Sequence, residues 1–262
     1  MAEDSLSLLA ADDGSAAAAG LLVAACQVAL AAGWSVRRLH VAEGQAGAEH
    51  RAPPDAGAPR RTVGGDPAAE ILRAAQQGDV AAVALGLRSD ERPGLGHVAR
   101  EILVQAERIL LLVRPGMRSI ASLRRILVPL EGSPSTSAAM RVADDAFCGP
   151  GRELVLVHVV TGDTPDEPGS MPAPRFMDQE HYEWTAWQDE FTMRFSQCTR
   201  GGRHRVLARV GDPAAAILKE ARELDAELMV LSWKRRLGPG QATRLRRLLE
   251  SSPCPLLLVP QT

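Results

Sequence analysis

The chain carries one pattern twice. LLAADDGS at 8–15 recurs as ILVPLEGS at 126–133, each a short apolar strand, an acid-Gly-Ser turn and the start of an Ala-rich helix. The offset is 118 residues, and at that offset LHV (39–41) falls on VHV (157–159). Further on, VGGDPAAEIL (63–72) resembles VGDPAAAIL (210–218), VALG (83–86) matches VLS (230–232), and ILLLVRP (109–115) matches PLLLVPQ (255–261). For this later group the offset is 146, as Asp66 over Asp212 shows. It changes once, so the second copy holds about 28 extra residues, all between its second and third strands. Two stretches with the same order of apolar runs must bury the same faces, and such self-similarity predicts two like units.

Strands are expected near 6–11, 36–41, 60–63, 80–85 and 109–114, and again near 125–130, 153–160, 204–209, 227–232 and 255–260. Continuous apolar strands alternating with helical patterns imply a parallel sheet covered on both faces. Right-handed crossovers then give an α/β, doubly wound unit of five strands. GDP at 65–67 and 211–213 suits a helix start, with Asp at the N-cap and Pro at the first helical position. RPGMRSIASLRR (114–125) connects the copies. The expected division is a first domain at 1–116, a linker at 117–125 and a second domain at 126–262. Each domain should form its own sheet. ILLLVRP and PLLLVP should be edge strands that meet near a pseudo-twofold axis, since an uncovered apolar edge invites aggregation.

Most of the few aromatic residues fall in the extra segment, about 164–200: Phe176, Tyr182, Trp184, Trp187, Phe191 and Phe195. TPDEPGSMPAP (164–174) is too rich in Pro and Gly for a helix, whereas 184–195 has aromatics at helical spacing. The first copy has only polar, Pro-rich sequence there. The stripe packs either on its own sheet or on the other half or a second chain.

Bulk properties narrow the function. A formal net charge of -2 argues against nucleic-acid partners. No apolar run approaches the roughly 18–20 residues that span a membrane. MAEDSLSLLAADD lacks a basic leader region, so a cytoplasmic protein without a signal peptide is expected. Cys26, Cys148, Cys198 and Cys254 lie far apart, without CxxC or Cys/His spacing suited to a metal; they read as buried small hydrophobes rather than ligands or disulfides. No metal site is expected. No GxSxG, HExxH or full Walker loop occurs. Asp12-Asp13 reads as a turn at a strand end, and His40 and His158 as equivalent parts of the fold.

ILVPLEGSPSTSAAMRVA, VLVHVV, RVGDPAAAILKEARELDAELMVLS and SSPCPLLLVP together resemble the universal stress protein family, over the whole second half and more faintly the first. The resemblance implies a five-stranded parallel sheet in the order 3-2-1-4-5 in each half. It implies paired domains, and ATP binding in some members but not others; clear catalytic activity is not a family trait. It puts the adenine beside Asp13 and Val41 in the first half, and beside Glu131 and Val159 in the second.

In ATP-binding members a loop Gly-x2-Gly-x9-Gly-(Ser/Thr) after the fourth strand wraps the phosphates. Glycines let backbone N–H groups approach, and the following helix N-terminus favours anions. Here the positions fall on Ser232, Arg235 and Ala242-Thr243 in the second half, and on Gly86, Ser89 and Gly96-His97 in the first. From 232 to 242, and from 86 to 96, the step is 10 where the motif needs 13. Both loops are therefore short by three residues. LRSDERPGLGH (87–97) carries Asp90 and Glu91, whereas WKRRLGPGQATR (233–244) is basic throughout. Gly238, Gly240, Ala242 and Thr243 could form an anion nest in the second half, helped by Lys234, Arg235 and Arg236. Trp233 could stack on a base or cover the sheet edge.

Two functions stand. One is a regulatory protein with degenerate nucleotide loops that acts through protein contacts, by pairing of its own domains, as a homo-oligomer or with another protein. The other binds ATP or a related adenine nucleotide through its second domain. A hydrolase would need metal-binding carboxylates by the phosphate loop, so no turnover enzyme is expected. The shortened basic loop predicts weak phosphate or sulfate binding, screened by salt over about 10 Å at 0.1 M. Calorimetric titration should show Gly240→Asp abolishing it with the fold intact.

Overall fold

A computed structural model describes residues 6–15, 18–42, 60–87, 95–130, 136–160, 202–236 and 241–261. The first half runs β1 (Ser7–Ala11), α1 (Ala18–Ala32), β2 (Ser35–Ala42), β3 (Arg60–Gly64), α2 (Pro67–Ala75), β4 (Val80–Gly86), α3 (His97–Gln105) and β5 (Ile109–Val113). The second runs β6 (Arg125–Leu130), α4 (Thr136–Phe147), β7 (Glu153–Val160), β8 (Arg203–Val210), α5 (Pro213–Glu223), β9 (Leu228–Trp233), α6 (Gln241–Ser251) and β10 (Leu256–Pro260). Every strand falls within a residue of its expected limits. Both GDP turns cap as expected: Asp66 and Asp212 accept from the amides of Ala69 and Ala215, each at 2.8 Å, with Pro67 and Pro213 opening the helices. The aromatic stripe of 184–195 lies outside the described residues.

The strand order is β3-β2-β1-β4-β5-β10-β9-β6-β7-β8. Each half reads 3-2-1-4-5 from its outer edge inward, and all pairings within a half are parallel. The separate sheets expected from the sequence are instead one. β5 and β10 pair antiparallel, with Leu256, Leu257 and Leu258 opposite Leu112, Leu111 and Leu110. Leu111 thus faces its own repeat counterpart, Leu257, and the local twofold passes between them. The physical reason lies in the two edges: each is apolar on both faces and lined with unpaired backbone groups, and pairing them removes both liabilities.

α1 and α4 cover one face of the sheet, and α2, α3, α5 and α6 the other. Leu110, Leu112, Leu256 and Leu258 serve one core while Leu111 and Leu257 serve the opposite one, as strand alternation requires. Both cores run without a break across the junction.

The connection between the halves is packed against the second half. Ile120 and Leu123 are fully buried, and the Arg118 amide donates to the Pro253 carbonyl at 2.7 Å. The Glu227 carboxylate accepts from the amides of Ser122, Arg124 and Arg125 and from the Ser122 hydroxyl. Burial by itself would raise the Glu227 pKa; these donors outweigh it and hold the carboxyl below its ordinary value.

One cysteine reading needs correction. Cys26 and Cys254 are free, and burial pushes the Cys254 thiol up to about 11. Cys148, however, is disulfide-bonded, to a partner outside the described residues. Wide sequence spacing cannot reveal such a bond, because the fold decides which cysteines meet. Among the described residues, no helix is long and apolar enough to cross a membrane.

Residues 1–116 produced alone would expose the Leu110–Leu112 edge. Light scattering should show dimers or aggregates, and limited proteolysis of the full chain should not release two separately stable halves. A monodisperse, folded monomer of 1–116 would contradict the role given to the junction.

Candidate functional site

The strand order places a natural crevice in each half. The chain leaves β6 toward β7 on one side, while β9 joins β6 from the other, so the connections diverge at the strands' carboxyl ends. Open parallel sheets bind ligands at such switch points.

A cleft of about 290 Å³ opens there in the second half. Pro129 and Leu130 at the end of β6, Val157 and Val159 of β7 and Leu231 of β9 give it an apolar lining. Pro213 and Ile217 of α5 and Leu245 and Leu248 of α6 add further apolar surface. Ser232, Lys234, Arg244 and Gln261 supply the polar part. Gln261 Nε2 is buried without a hydrogen-bond partner. An orphan donor on the wall of a cleft is what an incoming acceptor would satisfy. The described lining residues include no carboxylate.

The residues singled out from sequence separate in space. Val159 lines the cleft, and Val41 occupies the matching place on β2, half-buried against the same core. Asp13 is exposed, its carboxylate accepting from the Ser15 amide at 2.9 Å in a local turn. Gly86 ends β4, where an added Cβ would meet only Leu21 at 3.9 Å, so crowding does not demand glycine. Gly96 caps α3 with φ -58, open to any residue. Thr243 is exposed in the first turn of α6, which also contains Ala242. Glu131, Gly238 and Gly240 lie outside the described residues.

Arg235 keeps the left-handed φ of 54 at the place where the family loop has its second glycine. Its guanidinium turns away from the cleft, donating to Glu107 of the first half at 3.3 Å. Trp233 is 5 % exposed, and its ring N–H donates to the Leu103 carbonyl on α3 at 2.8 Å. The start of the second loop therefore ties the two halves together.

Arg244 was not among the cations singled out from sequence, although a signal existed. QATRLRRLLES places Arg244, Arg246 and Arg247 early in α6 with no acid in the first turn. Cations near a helix N-terminus oppose the dipole, which favours anions there. Arg247 is met by Asp212 at 2.7 Å, and Arg244 is among the residues that line the cleft.

The matching end of the first half is built otherwise. Asp12, Arg38 and Arg60 stand where the repeat puts Leu130, Leu156 and Val206. Arg38 donates to Asp12 at 2.7 Å and Arg60 lies 3.7 Å away, with the Asp12 side chain 0 % and that of Arg38 5 % exposed. The Gly14 amide also donates to Asp12, at 2.9 Å. His40 Nδ1 meets the Asp12 carbonyl at 2.7 Å, and His158 Nδ1 the Leu130 carbonyl at 3.1 Å. The same bond in both halves makes these histidines part of the fold.

Burial by itself would raise the Asp12 pKa; the Arg38 hydrogen bond, the Gly14 amide and the two guanidinium charges overcome it and lower it. A lowered folded value means stability that is full above the unfolded pKa, near 3.8, and is lost as pH falls through the folded one. Asp12→Asn leaves Arg38 buried without its counter-charge and should destabilise by about 3–5 kcal/mol at neutral pH. Urea titrations should show the gap to the parent chain narrowing as pH drops below about 4.

Comparison with known proteins agrees with this architecture. The model of the universal stress protein family matches residues 122–260, more than half of the chain. A universal stress protein from Archaeoglobus fulgidus DSM 4304 superposes with a TM-score of 0.66 over 100% of both chains at 16% identity. A functionally unknown protein from Pseudomonas aeruginosa PAO1 gives 0.60 at 12% identity, over 97% of this chain and 92% of that one. No curated protein matches. With one family model over the second half and one fold over both, the chain belongs to the universal stress protein family.

Proposed function

We propose that this chain is a non-catalytic binding protein, whose phosphate loops are diverted from wrapping a triphosphate and whose second half keeps a weak site for an adenine mononucleotide. The observation that carries this reading is the cleft at the β6–β9 switch point. It joins an apolar lining suited to a base to two cations, Lys234 and Arg244, and an unsatisfied Gln261 amide. Ligand pockets commonly have this makeup, apolar walls with a few convergent polar groups, and occupy about 300–1,000 Å³. At about 290 Å³ the cleft is at the small end of that range, which favours one phosphate over three.

The rest of the loop supports weak rather than tight binding. Trp233 lines the cleft but commits its N–H to Leu103 of the first half, and the Arg235 guanidinium is held by Glu107. With no carboxylate among the described lining residues, the cleft offers no clamp there for the metal that phosphoryl transfer uses. Regulation through protein contacts fits the same diversion: the loop that would sense phosphate is also the seam between the halves.

Calorimetric titration with AMP, ADP and ATP at two salt concentrations tests this. AMP should bind at least as well as ATP, and more weakly at high salt. Arg244→Gln should weaken it about tenfold or more, the loss of one charge-assisted contact. Tight, salt-insensitive ATP binding that survives Arg244→Gln would overturn the reading.

A further inference from the structure

Away from the cleft, three side chains of metal-ligating type converge on the opposite face of the second half. Asp144 lies in the last turn of α4 and Cys148 follows its end, four residues apart and so on one side of the helix. His204 is the second residue of β8. Its Nε2 lies 2.9 Å from Asp144 Oδ1, and these two atoms and Cys148 Sγ all lie within 4.8 Å of one another. The group is sheltered: Cys148 is 4% exposed, and the side chains of His204 and Asp144 are 9% and 13% exposed. Gly202 permits the approach, since a Cβ there would stand 2.5 Å from Cys148 Sγ.

The repeat shows that the fold does not require this trio. At the offsets of 118 and 146, the first-half counterparts are Cys26, Leu30 and Ala58. A half-buried carboxylate and imidazole beside a buried sulfur, gathered from one helix and one edge strand and without counterparts in the first half's sequence, call for a role of their own.

We propose that Asp144, Cys148 and His204 form a redox-gated site for a divalent ion of the zinc class, open when Cys148 is a thiol and closed when it is in its disulfide. Thiolate, imidazole and carboxylate are the ligand set that zinc prefers. With Zn–S near 2.3 Å and Zn–N and Zn–O near 2.0–2.2 Å, tetrahedral ligands stand roughly 3.3–3.7 Å apart, so the trio needs only small side-chain adjustments. Three protein ligands leave the fourth position to water.

The chemistry balances with a dithiol reductant. It gives two electrons and two protons to the Cys148 disulfide, which becomes two thiols, and is itself oxidised to a disulfide. The ion then displaces the Cys148 thiol proton to solvent. The proton that His204 Nε2 donates to Asp144 passes through solvent to Nδ1, and the ion takes the freed Nε2 lone pair and one Asp144 oxygen. Exchange with a small-molecule disulfide, which takes back two electrons and two protons and becomes a dithiol, restores the Cys148 disulfide, and with the thiolate gone the ion leaves.

The test is Co²⁺ titration of the full chain, followed by its thiolate charge-transfer and ligand-field bands, with and without a phosphine reductant. The reduced chain should bind one Co²⁺, displaced by Zn²⁺, and the unreduced chain should not. Cys148→Ser should remove the charge-transfer band and Cys26→Ser should leave it unchanged. His204→Gln should weaken binding at least tenfold, and Asp144→Asn provides the same reading if His204→Gln unsettles β8. No thiolate band after reduction, a band that survives Cys148→Ser, or equal binding without reductant would overturn the proposal.

Discussion

Three pairs of leucines hold this molecule in its shape. Where Leu110, Leu111 and Leu112 meet Leu258, Leu257 and Leu256, two half-sheets become one, and each strand contributes side chains to both core layers. Without that antiparallel pairing each half would end in an apolar edge with unmet amides and carbonyls. The other contacts between the halves, such as the Trp233 ring N–H on Leu103, lie on ground the junction prepares. Antiparallel pairing of equivalent strands also means that the two crevices are related by the local twofold, so they can diverge without disturbing the sheet.

They have diverged. In the second half Leu130, Leu156 and Val206 leave these strand positions uncharged, Leu130 lining the cleft and the other two packing on the α4 face of the sheet. In the first, Asp12, Arg38 and Arg60 fill the equivalent places with charge. Both arrangements keep the histidine-to-carbonyl bond at the end of the second strand, a backbone constraint independent of what the crevice holds. The molecule thus keeps one frame and changes the chemistry on each copy.

The frame was legible because apolar periodicity and helix caps are local: β6 and β7 could be bounded to the residue, and both GDP caps follow from two neighbouring side chains. What escaped was long-range. Nothing in ILLLVRP or PLLLVPQ says whether two edges merely approach or share hydrogen bonds. Arg235 reads from sequence as part of an anion-binding cluster because its neighbours are cations, yet its partner, Glu107, lies 128 positions away. His204 and Asp144 are 60 residues apart and met only through the register of β8 on β7. Sites assembled from distant segments have no spacing to read.

The outer rims of the sheet carry a further consequence. β3 contributes Arg60 and Arg61 to one rim, and β8 contributes Arg203, Arg205 and Arg209 to the other. The greasy rims are spent on each other at the centre, and the outer strands carry long charged side chains, of which Arg60 leans on Asp12, Arg205 on Glu153 and Arg209 on Glu220. Charged side chains along an edge strand disfavour the addition of another strand, and they border the ten described strands on both sides.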